Sequence, residues 1–385
     1  MKLDKNSVVA VIGSGTMGSG IAQVAATYGH KVYLFDSSEV AIDKAKANLT
    51  SVHNRLVEKG KISESEKDNI LNRIIFTHNF NDLSDSNFVI EAIIENLEIK
   101  KELFKKLQEI IKVDVVYSSN TSSLSIAALS SAFTKPENFL GVHFFNPAPL
   151  MPLVEIVPSF LTSGEIKNEV KNLVDAWGKT SVVAKDTPGF IVNRIARPFY
   201  SESLRILDEG IADIATIDWA MKHIGGFKMG PFELMDFIGH DVNYVVTESV
   251  FKEFYYDPRF KPSITQKRLY EAGMNGRKSG RGFYDYSENS IDNLPITDKS
   301  LGQYIFTRVI VMLINEAYDA LFMNIASKED IELAMVKGVN YPKGLFQWGD
   351  EIGLELVLQR LQSLINEYQE DRYRPNPLLK RLAYK

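Results

Sequence analysis

Hydrophobic residues are laid out along the chain in two styles. Over the first 186 residues, short runs of apolar, largely β-branched or aromatic residues alternate with longer polar stretches. SVVAVIG (7–13) begins the series, and KVYLFD (31–36), NFVIEA (87–92), VVYSSN (115–120), FLGVHFF (139–145) and LVEIV (153–157) continue it. Runs that are short and apolar throughout predict strands covered on both faces. The patterns at 97–112 and 122–131 repeat with helical period and predict crossovers between strands. A charged stretch after Asp36, broken near Gly60, predicts a helical hairpin over residues 38–75. Strands alternating with helices make an α/β, doubly wound and largely parallel sheet.

After SVVAKDTPG (181–189) the style changes. Residues 190–282 read as helices, polar SENSIDNLP (287–295) as a linker, and the rest as helices again. The expected domains are therefore 1–186, 187–286 and 296–385. The two helical regions are related, because sliding 194–239 by 114 positions lays it without gaps on 308–353, with 13 of 46 residues identical. The matches include Glu202/Glu316, Ile211/Ile325, Ala220/Ala334, Gly230/Gly344, Phe232/Phe346 and Gly239/Gly353. Two unrelated amphipathic helices share apolar positions but not glycines in one register, so the pattern predicts a tandem duplication.

GSGTMG (13–18) changes the picture of the first region from fold to chemistry. It follows a strand, opens a helix, and precedes a second strand that ends in Asp36. That context is what the Rossmann dinucleotide fingerprint requires. Gly13 permits the tight turn, Gly15 lets a pyrophosphate approach the backbone, and Gly18 lets the helix pack on the strand. Ser14, Thr16 and Met17 complete the loop, and the helix start offers free N–H groups to the phosphates. Asp36 is placed to accept from ribose hydroxyls and to repel a 2′-phosphate, which favours NAD as cofactor over NADP.

Composition narrows the remaining classes. A net charge of −5 argues against a general nucleic-acid binder. No apolar run approaches the ~18 residues of a membrane span. The opening MKLDKNSVVAVIG leads straight into a strand with no signal-peptide pattern, and there are no cysteines, so cytoplasm is the expected compartment. Six histidines without HExxH or paired spacing argue against a metal site.

Several further stretches, in order, resemble the 3-hydroxyacyl-CoA dehydrogenase family: EAIIENLEIKKELF (91–104), SSNTSSLSI (118–126), GVHFFNPAPLMPLVEI (141–156), DTPGFIVNRI (186–195) and GRKSGRGFYDY (276–286). RYRPNPLLKRL (372–382), with the duplicated helical region, looks like the family's long form. The resemblance implies oxidation of a 3-hydroxyacyl-CoA, with short chains such as 3-hydroxybutyryl-CoA expected. It makes His143 the catalytic base and Glu155 its partner. This fits the chemistry, since an unperturbed imidazole sits at ~6.5 and a carboxylate on its far nitrogen fixes the tautomer. Ser122 and Asn193 match the substrate-contacting serine and asparagine, although Ser122 also reads as a helix N-cap and Asn193 as a residue holding the turn after Pro188. Asn120 and Ser122 also match cofactor-binding positions, Asn146, Glu95 and Lys100 match contacts near the nicotinamide half, and Lys278 a lysine that reaches the cofactor from the helical region. Glu95 and Lys100 read otherwise as an exposed pair at a helix start. Lys59, among the basic residues of the 38–75 hairpin, is the candidate contact to coenzyme A phosphates.

In the 114 register Asn193 falls on Thr307, so one active site is expected, between the dinucleotide domain and the first helical copy. The second copy is expected to pack on the first in place of a second subunit, giving a monomer or a weak oligomer. Two other readings compete. A gulonate-type sugar-acid dehydrogenase on the same fold would show HPxNPP where this chain has HFFNP. A non-catalytic, crystallin-like NAD-binding protein would have no use for His143, Glu155, Ser122 and Asn193.

Overall fold

The structure, a computed structural model, describes residues 2–288, 290 and 294–384. Residues 289 and 291–293 of the expected linker lie outside the described residues. The chain forms two compact units, residues 1–187 and 188–385.

The first unit carries β1 (Val9–Ile12), α1 (Thr16–Thr27), β2 (Val32–Phe35), α2 (Glu39–Glu58), α3 (Glu64–Asn72), β3 (Ile74–Thr77) and β4 (Phe88–Glu91). It continues with α4 (Leu97–Ile110), β5 (Val116–Ser119), α5 (Ile126–Ser130), β6 (Phe139–Phe144), β7 (Leu153–Pro158), α6 (Gly164–Ala176) and β8 (Thr180–Val183). The strands form one sheet in the order β3-β2-β1-β4-β5-β6-β7-β8. Every neighbouring pair is parallel except β6 and β7. Strand order reverses between β1 and β4, and ligands of open α/β sheets bind at the carboxyl ends of such a switch point. GSGTMG begins there, directly after β1.

The six strands expected from the hydrophobic pattern are all present. The two that it misses, β3 and β8, are the edges of the sheet. An edge strand is covered less completely, so its sequence lacks an unbroken apolar run: Ile75 in β3 is 38% exposed and β8 reads TSVV. The expected hairpin is α2 and α3, with Gly60 at φ +62° between them, and it ends at Asn72 because the chain turns into β3. The helix expected over 122–131 shortens to α5. Its N-cap is Ser125, whose side chain accepts from the Ala128 N–H, so the capping role read for Ser122 belongs to Ser125.

The second unit is helical: α7 (Val192–Ile195), α8 (Arg197–Asp208), α9 (Ile214–Trp219), a π-turn at Ala220–Ile224, α10 (Pro231–Ile238), α11 (His240–Glu253) and α12 (Ile264–Glu271). Then follow α13 (Lys299–Phe322), α14 (Lys328–Gly338), α15 (Leu345–Ile352), α16 (Leu354–Tyr368) and α17 (Pro377–Ala383). Over residues 214–239 the 114 offset reproduces the helix bounds. Residues 214–224 fall on α14 and α10 on α15, and the glycine after each of α10 and α15 has positive φ, +94° at Gly239 and +88° at Gly353. Asp218 and Glu332 also correspond. Each carboxylate accepts from backbone N–H groups at the start of the next helix, Phe232 and Glu233 in the first copy and Gln347 in the second. Both copies pack within one unit, with α8 against α13.

Candidate active site

The phosphate loop is shaped by what its glycines permit. Gly13 has φ +103°, and a Cβ there would lie 2.6 Å from the Ala92 carbonyl oxygen. A Cβ on Gly18 would lie 1.8 Å from the Gly13 carbonyl oxygen, so α1 can approach β1 this closely only with glycine. Gly15 differs: a Cβ there would meet nothing within 4 Å. Packing therefore does not require glycine at 15, and the open space fits the close approach of a pyrophosphate. Gly15 is also the N-cap of α1 and supplies no side-chain cap, and the first turn holds no acidic residue. Its leading N–H groups and positive dipole end suit an anion.

A cleft of about 720 Å³ begins at this loop, lined by Ser14, Gly15 and Asp36, by Lys44 and Asn48 of α2, and by Pro147. Asp36 follows β2. Its Oδ2 accepts from the Ser14 N–H at 2.9 Å and hydroxyl at 3.0 Å, and its Oδ1 from the Ser38 N–H at 3.1 Å. The carboxylate is thereby held at the cleft. The residues present fit NAD: Gly13, Gly15 and Gly18 leave room for a pyrophosphate, and the Asp36 carboxylate could accept from ribose hydroxyls.

His143 and Glu155 come together through the antiparallel pair. They stand opposite each other in the β6–β7 ladder, so both side chains leave the same face of the sheet. His143 Nδ1 lies 2.7 Å from Glu155 Oε2, with exposures of 6% and 0%. An Nδ1–H that donates to the carboxylate leaves Nε2 with its lone pair. The Phe145 ring lies against the imidazole, centroids 4.5 Å apart. The chain between the two strands turns at exposed Asn146 through a cis Asn146–Pro147 bond.

The turn after β5 carries Asn120 and Ser122 and is tied on two sides. Asn120 Oδ1 accepts from the Phe144 N–H at 2.8 Å, one residue beyond His143. Glu95 Oε1 accepts from the Thr121 hydroxyl at 2.5 Å, the Ser122 N–H at 3.0 Å and the Ser123 hydroxyl at 3.0 Å. Glu95 Oε2 lies 3.3 Å from Lys100 Nζ, which donates to Glu91 Oε1 at 2.5 Å. Burial by itself would raise the Glu95 carboxyl, but the Lys100 ammonium and the donors of the turn outweigh it and hold the group below its ordinary range. For Glu91 burial prevails over Lys100 and Ser119, and its carboxyl is raised.

Of the exposed pair that is the alternative reading of Glu95 and Lys100, Glu95 is exposed and Lys100 is not. Lys100 is 1% exposed, since α4 lies on the sheet and directs the ammonium to the end of β4. Glu91 has no place among the candidates from sequence, yet its signal matches that of Glu155: an acid at the end of an apolar strand. Lys44 and Asn48 line the cleft, whereas Lys59 is the exposed C-cap of α2. Asn193, in α7, and Lys278 belong to the second unit, where the Lys278 ammonium pairs with Asp241. Among the described residues no helix is long and apolar enough to cross a membrane.

Known proteins resemble this chain along both units. The family model for the NAD binding domain of 3-hydroxyacyl-CoA dehydrogenase matches residues 8–187. The model for that family's C-terminal domain matches 189–286 and again 304–385. The chain is 37% identical to a 3-hydroxyadipyl-CoA dehydrogenase of Escherichia coli, over 97% of both chains. A crystal structure of 3-hydroxybutyryl-CoA dehydrogenase from Escherichia coli superposes with a TM-score of 0.92 at 36% identity, covering 99% of each chain. That of (S)-3-hydroxybutyryl-CoA dehydrogenase from Ralstonia eutropha gives 0.71 at 38% identity, covering 74% of this chain and 100% of its own.

Proposed function

The chain belongs to the 3-hydroxyacyl-CoA dehydrogenase family of NAD-dependent oxidoreductases, and from that premise we propose that it interconverts a short-chain (S)-3-hydroxyacyl-CoA, such as 3-hydroxybutyryl-CoA, and the matching 3-ketoacyl-CoA, with His143 and Glu155 as its proton-handling pair. The observation that carries the proposal is the buried 2.7 Å contact between these two side chains. NAD, which Gly13, Gly15, Gly18 and Asp36 would hold, would supply the hydride acceptor for the oxidative direction. His143 removes the hydroxyl proton at Nε2 while Nδ1 stays on Glu155, whose charge offsets the imidazolium. In the reductive direction the same imidazolium returns that proton to the developing alkoxide.

Ser122 and Asn193 are assigned to the substrate oxygen. A hydroxyl and an amide can each donate to a 3-keto oxygen as charge builds on it, a contribution of ~3 kcal/mol for a well-placed donor. For Ser122 the support is its tether, since Glu95 fixes its N–H and Asn120 ties the same turn to β6. Asn120 is assigned to the cofactor, Asn146, Glu95 and Lys100 to its nicotinamide half and Lys278 to a contact from the second unit. Lys59 is assigned to coenzyme A phosphates, which basic side chains bind as charge-assisted acceptors.

Two substrate readings follow from the relatives, one with the short butyryl chain and one with the carboxylate-ended adipyl chain. Comparing kcat/KM for 3-hydroxybutyryl-CoA and 3-hydroxyadipyl-CoA separates them. The family reading itself is tested by NADH consumption with acetoacetyl-CoA. Turnover that is lost in His143→Gln is expected, and an inert native enzyme or an active His143→Gln variant would overturn the mechanism.

The packing of both helical copies in one unit supports a chain that completes its helical core unaided. A monomer is the expected solution state, and a tight dimer built through the first copy would contradict it.

A further inference from the structure

We propose that Glu316 and Asp319, in the second helical copy, are positioning residues for catalysis: they act through Arg194 to hold the short helix that presents Asn193. The inference rests on the assignment of Asn193 to the substrate oxygen.

Asn193 lies in α7, a helix of only four residues. A single turn carries the cost of helix nucleation with almost none of the gain of propagation, so its geometry is set by whatever grips it from outside. The segment leading into it bends sharply and is tied back by the Arg194 N–H, which donates to the Gly189 carbonyl at 3.1 Å. Gly189 has φ +73° and Phe190 φ +48°, both in the left-handed region that side chains avoid. The segment leading out is interrupted, because Pro198 has no N–H to give the Arg194 carbonyl.

A further grip, from the second helical copy, comes through Arg194, the neighbour of Asn193. Its guanidinium is 2% exposed and donates to Glu316 Oε1 at 2.8 Å and to Asp319 Oδ2, both on α13. The Phe254 ring lies 5.0 Å from it. Arg259 is fixed to Asp257 at 3.0 Å and reaches the same two carboxylates, at 3.0 Å to Asp319 and 3.4 Å to Glu316. A planar fork held by two carboxylates in a buried setting defines orientation as well as distance.

The duplication supplies an internal control. Arg308 corresponds to Arg194 and Glu202 to Glu316, and the contact is reciprocal: Arg308 Nε donates to Glu202 Oε1 at 2.6 Å. Arg308 also has a second carboxylate, Glu209, at 2.7 Å. Yet Thr307, beside Arg308, lies inside the 24-residue α13, whose own ladder fixes its backbone. Residue 312, opposite Pro198 in the register, is a methionine, so that ladder is unbroken. The same ion pair is therefore needed for positioning on one side and not on the other.

The test is steady-state kinetics with acetoacetyl-CoA, with melting temperature measured alongside. Glu316→Gln and Asp319→Asn should lower kcat roughly ten- to hundredfold, the scale of a misplaced catalytic group, with KM for NADH little changed. Asp319→Glu should recover part of the loss. Glu202→Gln, which breaks the reciprocal pair, should lose comparable thermal stability while kcat stays within about twofold. If kcat falls equally in Glu202→Gln and Glu316→Gln, or stays level in Glu316→Gln, the two carboxylates are structural only and the inference fails. Should Glu316→Gln not fold, Asp319→Asn decides alone, since Asp319 is the more exposed of the two at 15%. Asn193→Ala marks the underlying assignment. An unchanged kcat there removes that assignment and the inference with it, whereas a low kcat there beside a normal one in Asp319→Asn removes only the inference.

Discussion

His143 and Glu155 are direct partners across the single antiparallel pair of an otherwise parallel sheet. They are twelve positions apart in the chain, and the reversal between β6 and β7 brings their side chains to 2.7 Å. His143→Gln removes the imidazole assigned as proton acceptor, so kcat should drop by about 10²–10⁴ with NAD affinity unchanged. Glu155→Gln keeps an acceptor for Nδ1–H but no charge. Because Glu155 is fully buried, the charge should matter most, and a loss of kcat of at least about 10² is expected. A loss below about tenfold would instead assign Glu155 mainly to orientation.

Gly15 and Gly18 should respond differently to the same added methyl. Gly18→Ala forces a Cβ against the Gly13 carbonyl and should destabilise the first unit by ~3 kcal/mol or more. Gly15→Ala meets open space, so its melting temperature should hold while NAD binding weakens at least about tenfold. Thermal denaturation and NAD titration of both variants check the pair of outcomes.

Asp36→Ala should weaken NAD binding by roughly ten- to hundredfold, the worth of hydrogen bonds to a charged acceptor, and narrow the preference for NAD over NADP. Because Asp36 also receives the Ser14 N–H, some of the loss belongs to the phosphate loop. Equal discrimination in native and variant enzymes would show that Asp36 does not read the ribose.

Lys100→Gln should make stability depend on pH with a defined sign. Glu91 is raised above its ordinary value by burial, against the pull of Lys100, and removing Lys100 raises it further. A carboxyl whose folded value exceeds its unfolded value binds more protons when folded, so stability falls as pH rises through that window. The variant should therefore lie ~3 kcal/mol below the native protein at pH 7–8 and approach it as pH falls toward the unfolded carboxylate range. Chemical denaturation at a series of pH values checks it, and a deficit that is flat with pH would contradict the account.

The sheet centre, the phosphate loop and the His143–Glu155 pair were legible because each leaves a local mark: an apolar run, a glycine spacing, or an ionisable group inside a run. The edges β3 and β8 leave weak marks, since half-covered strands need not be apolar. Glu91 was missed although it carries the same mark as Glu155. The alternative reading of Lys100 as exposed fails because burial of a charged residue depends on a carboxylate nine positions earlier, on a different element. The grip of Glu316 and Asp319 on Arg194 spans more than 120 positions and leaves no local mark at all; only the register of the duplication points toward it.

Fusing two copies in one chain also lifts a constraint that an identical pair of subunits cannot escape. In a symmetric dimer any residue placed at one side of the interface appears at the other. Here position 205 is arginine and its counterpart 319 is aspartate. Asp319 binds Arg194, while Arg205 turns to Glu370 at 2.9 Å. With arginine at both places, Arg194 would face a like charge. The duplicated chain can thus adjust the electrostatics behind Asn193 without imposing the same change on the copy that has no asparagine to hold.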